Sequence, residues 1–380
     1  MSNDFIITNA RIVTRSEIVK GSVHVVGGAI VAVDDSDSSL PAALDFEGDY
    51  LLPGLIEMHT DNVEKHFVPR PGIMWPSPMA SLNAHDTQIA GAGITTVLNG
   101  VAVGDYRDRG IRPHIVKSSI EAIGQGQNDG LLRAEHFLHL RCEISDPTVL
   151  DTLAEHIDDP LVVLLSLMDH TPGQRQWRDL AKLRRHNRDQ NWSDEDFQGF
   201  VDKRLKYQKA YSDNNRSAIA ELCRTRGLQL ASHDDTTEAH VLESVAAGVT
   251  VCEFPCERPA AIAAREKGLG IIMGAPNIVL GGSHSGNVSA LELAADGLLD
   301  GVSSDYMPVS LLHSAFMLHD ALEMPLPVAV AKASCNVAGM LGLGDRGEIA
   351  TNKRADLVRV TQAGDTPIVR TVWRESIRVA

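Results

Sequence analysis

The sequence predicts an α/β protein: a (β/α)8 TIM barrel joined to a small composite β-sandwich domain formed by both termini. Two observations predict it. Between residues 53 and 344, roughly 290 residues and the length an eight-stranded barrel occupies, eight short apolar runs alternate with stretches of helical periodicity. Outside that region, at both ends, the pattern changes to β-type runs broken by turns. Residues 1–52 and 345–380 are therefore expected to build the composite domain, and residues 53–344 the barrel.

The elements follow in order. FIITNARIV (5–13), SVHVVGGAIVAVD (22–34) and LDFEGDYLL (44–52) alternate apolar and polar residues, with Gly27-Gly28 as a hairpin turn. The barrel strands expected next are 55–59, 95–100, 137–144, 161–169, 228–234, 249–254, 269–275 and 300–305. HIVKSSIEAIGQ (114–125) and TEAHVLESVAAG (237–248) carry the helical spacing between them. SDEDFQGFVDKRLKYQKAYSD (193–213) reads as a lid or interface helix. After Leu341 the β pattern returns in GEIATN, ADLVRV and PIVRTVWR.

Composition narrows the function classes. A chain of 380 residues, 43% apolar and 22% charged, can bury a sizeable core. Its net charge of −15 argues against nucleic acid or an acidic membrane surface as partner. There is no 18-residue apolar run and no charged-then-apolar leader in MSNDFIITNARIV. Five cysteines, an odd number without framework spacing, suit a reducing cytoplasm. Cys252 and Cys256 could bind zinc, but no second pair accompanies them, so core thiols are the expectation.

The chemistry centres on the end of the first barrel strand. Residues two apart on a strand share a face, so His59 and Asp61 should converge on one point, as metal ligands do. In a (β/α)8 barrel the catalytic groups sit at the carboxyl ends of strands. Reading those ends along the chain adds Glu143, His170, His233 and Asp305. Neutral imidazoles mixed with carboxylates make a shell for a hydrolytic divalent metal; zinc fits first, and manganese or iron are acceptable.

Two strings at the barrel's borders, GDYLLPGLIEMHTD and LGLGDRGEIATNKRADLVRV, resemble the amidohydrolase superfamily. Within it, EMHTDNVEKHFVPRPG, HLRCEI, LMDHTPGQ, ASHDD and SSDYMP closely resemble the family of alpha-D-ribose 1-methylphosphonate 5-triphosphate diphosphatases. The likeness runs from residue 5 to residue 374. It implies hydrolysis of a triphosphate on a phosphorylated ribose during phosphonate breakdown, releasing pyrophosphate and leaving a 5-phosphate. It implies one or two divalent ions. His59-x-Asp61 stands where the superfamily has His-x-His, Glu143 would bridge, His170 and His233 would hold the second metal, and Asp305 would take the proton of the attacking water. Glu253, His66 and His85 are spare candidates for the shell. A cytoplasmic homodimer acting on a small molecule, with no nucleic acid and no membrane partner, completes the expectation.

Cations for the phosphates can be read beside these strands. Lys65 and Arg70 follow strand one; Arg107, Arg109, Arg112 and His114 follow strand two. After strand four, Arg175, Arg178, Lys182 and Arg185 recur at helical spacing and are expected to form one positive face. His284, in a glycine-rich loop after strand seven, is a further candidate, with Asn277 a weaker one. Two other functions compete: an amidase or deacetylase of the same superfamily acting on a phosphorylated small molecule, and a scaffold that has lost its metal. The cations argue against the first and the six occupied ligand positions against the second.

Overall fold

The computed structural model describes residues 4–70, 73–104, 112–283 and 286–380. Eight parallel strands form the barrel: Leu55–Thr60, Ile94–Val103, Glu135–Glu143, Val162–Met168, Gln229–His233, Val251–Glu253, Gly270–Gly274 and Gly301–Ser303. Each pairs with its neighbour in chain order, the arrangement that right-handed β-α-β crossovers produce. Strand two is buried at every one of its 10 residues, as a strand covered on both faces must be.

The seam between the last strand and the first is closed mainly at its carboxyl end. A bridge joins Thr60 to Asp305. The Thr60 hydroxyl donates to the Asp305 carbonyl at 2.7 Å, and the Ser303 hydroxyl to the His59 carbonyl at 2.6 Å. The buried Glu57 carboxyl accepts from the amides of His59 (2.7 Å) and Ser304 (2.6 Å), clamping the two strands from below. The seam thus positions the ends that carry His59 and Asp305.

Both chain ends build the second sheet. Tyr50–Pro53 pairs parallel with Phe5–Val13 and antiparallel with Leu357–Ala363, so the two termini meet across one strand. The sheet curls until Ala29 bridges Arg354, enclosing Ile7, Ile12, Val23, Ile30, Phe46, Leu51, Leu357 and Trp373. Trp373 stacks on Phe46 at 5.9 Å between ring centroids. This sheet is tied to the barrel by Arg346 and Arg354, which both pair with Glu135 at the start of barrel strand three.

The segment read as a lid or interface is the first part of one 33-residue helix, Asp194–Arg226. Ser193 and Asp196 form a capping box at its start, and Gly227, left-handed at φ +66°, ends it. No described helix is long and apolar enough to cross a membrane.

Candidate metal centre at the barrel mouth

The six residues read from strand ends come together. His59, Asp61, Glu143, His170, His233 and Asp305 all line one cavity of about 310 Å³ at the carboxyl ends of the strands. Asp61 lies just past its strand, immediately before the helix Asn62–Phe67. Three non-glycine residues just past strands hold left-handed backbone: Asp234 (φ +58°) and Phe254 (φ +54°), each directly after a strand, and Asp305 (φ +54°), two residues after one. Such conformations persist where surrounding contacts impose them; here all three residues line the cavity.

Carboxylates set the histidine tautomers. His59 Nδ1 lies 3.1 Å from both oxygens of Glu253, and His233 Nδ1 lies 3.4 Å from Oε2 of the same carboxylate. His170 Nδ1 is 2.6 Å from Glu143 Oε2. An ionised carboxylate only accepts, so each Nδ1 carries the hydrogen and each Nε2 keeps its lone pair. His233 Nε2 then faces Asp234 Oδ2 at 3.5 Å, two electron-pair donors with no proton between them. Donor atoms of His170, His233 and Asp234 lie within 4.8 Å of one another, as do those of His59, His139 and Glu253. Among the described residues, Asp234 Oδ2, Asp61 Oδ1 and both ring nitrogens of His139 are buried without a hydrogen-bond partner. Converging, unsatisfied donors of this kind fit a divalent cation.

Electrostatics agree with that reading. Burial pushes His233 and His139 down to about 3, so both imidazoles are neutral. His59 is held well below its usual value by burial and by nearby Arg141. Burial and the Asp61 charge push Asp305 up to about 7, and burial pushes Asp234 up to about 6. Burial alone would raise Glu143, but the His170 and Ser145 donors hold it below its usual value. A cation among these carboxylates would relieve the repulsion that raises Asp305.

The expected phosphate-binding residues separate. Lys65 stands at the rim, its Nζ 3.1 Å from the Tyr306 carbonyl and 3.8 Å from Asp61. Arg70 is exposed and forms no part of the cavity wall. Arg175 is buried: it pairs with Asp235 at 2.5 Å and donates to the His233 carbonyl at 3.2 Å. Arg178 pairs with Glu257. The single positive helical face does not form. The segment breaks into a 3-10 turn, Arg175–Trp177, and a helix Leu180–His186, because Asp179 caps a new start by accepting from Ala181 N at 2.8 Å. His284, Arg107 and Arg109 lie outside the described residues. Of the spare shell candidates, Glu253 is fully buried behind His59 and His233. His66 and His85 belong instead to a separate network with Asn62, Gln88 and Asn99. Asn277 lines the cavity and holds its loop through Val288 and Ala290.

Three residues beside the site were not read from the sequence. Asp234 was overlooked because it follows His233 directly and a left-handed turn, invisible in the sequence, turns it inward. His139 and Arg141 precede Glu143 at period two in HLRCE, a signal that period-two reading of the strand could have found. The five cysteines are buried and free, and burial raises Cys252 and Cys256 as thiols rather than as metal-binding thiolates.

No family model matches the chain. It is 47% identical over 377 residues to the alpha-D-ribose 1-methylphosphonate 5-triphosphate diphosphatase of Escherichia coli strain K12, covering 98% of this chain and 100% of that protein. Among solved structures, it is similar to an amidohydrolase (TM-score 0.65, 16% identity, 99% and 98% of the two chains). It is also similar to the 5-methylcytosine deaminase of Klebsiella pneumoniae (TM-score 0.67, 14% identity, 99% and 98%). At such identity these two speak for the fold alone.

Proposed function

The chain belongs to the alpha-D-ribose 1-methylphosphonate 5-triphosphate diphosphatase family, and on that premise we propose that it hydrolyses that triphosphate to the 5-phosphate and pyrophosphate. The observation that carries the reading is the 47% identity running the full length of both chains. The cavity supports it with a donor set suited to a hydrolytic metal.

His59, Asp61, Glu143, His170, His233 and Asp305 would hold one or two divalent ions, with Asp234 beside them; zinc is proposed first for this mixture of imidazole and carboxylate. When bound, such an ion supplies a Lewis acid and lowers the pKa of a coordinated water to ~7. Glu253 and Glu143 keep the imidazoles oriented with Nε2 as the donor atom. Asp305 accepts the proton of the attacking water at its carboxylate. The water oxygen bonds to the alpha phosphorus while that phosphorus loses its bond to the bridging oxygen, and pyrophosphate leaves with the electron pair. Lys65, whose Nζ lies at the rim, would meet the outer phosphates. Five free cysteines support a cytoplasmic enzyme, and a homodimer completes the proposal.

Phosphorus NMR of the metal-replete protein with the substrate tests it, run beside Asp305→Asn. Pyrophosphate and a 5-monophosphate from the wild type alone are expected. Inorganic phosphate plus a diphosphate would refute the assigned bond, and an unchanged spectrum with metal bound would refute the activity.

A further inference from the structure

Barrel strand three turns His139, Arg141 and Glu143 inward, and Arg141 is the one whose setting the proposed hydrolysis leaves unexplained. Its stem passes over strand two at Gly100. A Cβ there would sit 3.1 Å from Arg141 Cδ and 3.1 Å from the Thr60 carbonyl oxygen, so glycine leaves the room that the side chain uses. The side chain reaches the cavity wall among Asp61, Glu143, His170 and Asp305.

That guanidinium is uncommitted. Among the described residues it makes no ion pair, and its Nε is buried without a hydrogen-bond partner. Lys65, Arg175 and Arg178 are each tied to a carboxylate. A planar fork of N–H donors facing a cavity matches the oxygens of a tetrahedral phosphoryl group. The cavity's carboxylates are the ones that would hold a divalent ion, and with that ion bound Arg141 would remain a cation facing the cavity.

We propose that Arg141 holds the non-bridging oxygens of the phosphoryl group under attack, stabilising the charge that gathers there as the anhydride bond breaks. This rests on the hydrolysis proposed above. Arg141 neither gives nor takes a proton, so the bond changes are those already stated.

Calorimetry of metal-replete wild type, Arg141→Gln and Arg141→Lys with ribose 5-phosphate, which keeps the phosphorus under attack, and separately with pyrophosphate, which carries only the leaving phosphates, tests it. Ribose 5-phosphate is expected to bind ~10–100-fold more weakly to the glutamine variant. Pyrophosphate affinity should fall less, metal content should stay unchanged, and kcat should fall ~100–1000-fold. The lysine variant, which keeps charge but loses the fork, should also bind ribose 5-phosphate more weakly; it carries the test if the glutamine variant does not fold. Unaltered ribose 5-phosphate affinity in a folded variant overturns the proposal. So does loss of metal alongside the affinity, or loss confined to pyrophosphate. A wild type that neither binds ribose 5-phosphate nor hydrolyses the triphosphate refutes instead the activity on which the proposal stands.

Discussion

Replacing Glu253 by glutamine is the sharpest perturbation of this centre, because one buried carboxylate sets two imidazoles. Glu253 is fully buried, with His59 Nδ1 3.1 Å from both its oxygens, His233 Nδ1 at 3.4 Å and His139 Nδ1 at 3.8 Å. Glutamine has nearly the same volume, so packing should survive. It has one acceptor oxygen in place of two, and its other end is an N–H donor. One imidazole must then meet N–H with N–H, or move its hydrogen to Nε2. The second choice removes a lone pair from the proposed metal position. Carboxylates that orient metal-binding histidines typically contribute ~10–100-fold in metal affinity, equivalent to about 1.4–2.8 kcal/mol. Competition against a chromogenic chelator should therefore show zinc held ~10–100-fold more weakly in Glu253→Gln, with an unchanged thermal transition of the metal-free protein. Undiminished zinc affinity in a folded variant would refute the orienting role, and with it the assignment of Nε2 as donor.

Other predictions follow from the same geometry. Asp305→Asn, assayed with metal in excess, should lose at least ~100-fold in kcat, because an amide cannot take the water's proton; rapid-quench kinetics on metal-replete protein would show it. Arg175→Leu should destabilise the chain by about 3–5 kcal/mol, since Asp235 would be left buried without its partner; urea unfolding measures this. Acid should weaken the metal-free fold. His85 is pushed from 6.5 down to about 3 by burial and by neighbouring His136, so the unfolded chain binds more protons between those values. Its contribution is complete above pH 6.5 and is lost as pH falls towards 3. His85→Gln should reduce the slope of stability against pH in that window by up to about 1.4 kcal/mol per pH unit, in urea titrations at several pH values. Exhaustive chelation should abolish hydrolysis, and zinc should restore it; full turnover by a metal-free sample would refute the metal requirement.

The architecture and most of the site were legible along the chain because both depend on local periodicity. A buried parallel strand is a short apolar run, and a barrel places its chemistry where each run ends. LIEMH followed by Thr60-Asp61, or LVVLLSLMD followed by His170, therefore announces both a strand and a candidate ligand. The six residues read this way line one cavity. What side chains do with their charges was not legible, since that depends on partners far away in sequence. Arg175 looks like a phosphate ligand in RQWRDLAKLRRH, but Asp235, 60 residues on, claims it. Asp234 looks like a solvated neighbour of His233, but a left-handed backbone turns it into the cavity. Glu253 and His59 are separated by 194 residues and meet only because strands one and six face each other across the barrel. Sequence by itself determined which residues end the strands, because that order is local. Only the tertiary structure decided which cations are already paired, which imidazoles are oriented and that Arg141 faces the cavity without an ion pair among the described residues, because those depend on closing the barrel.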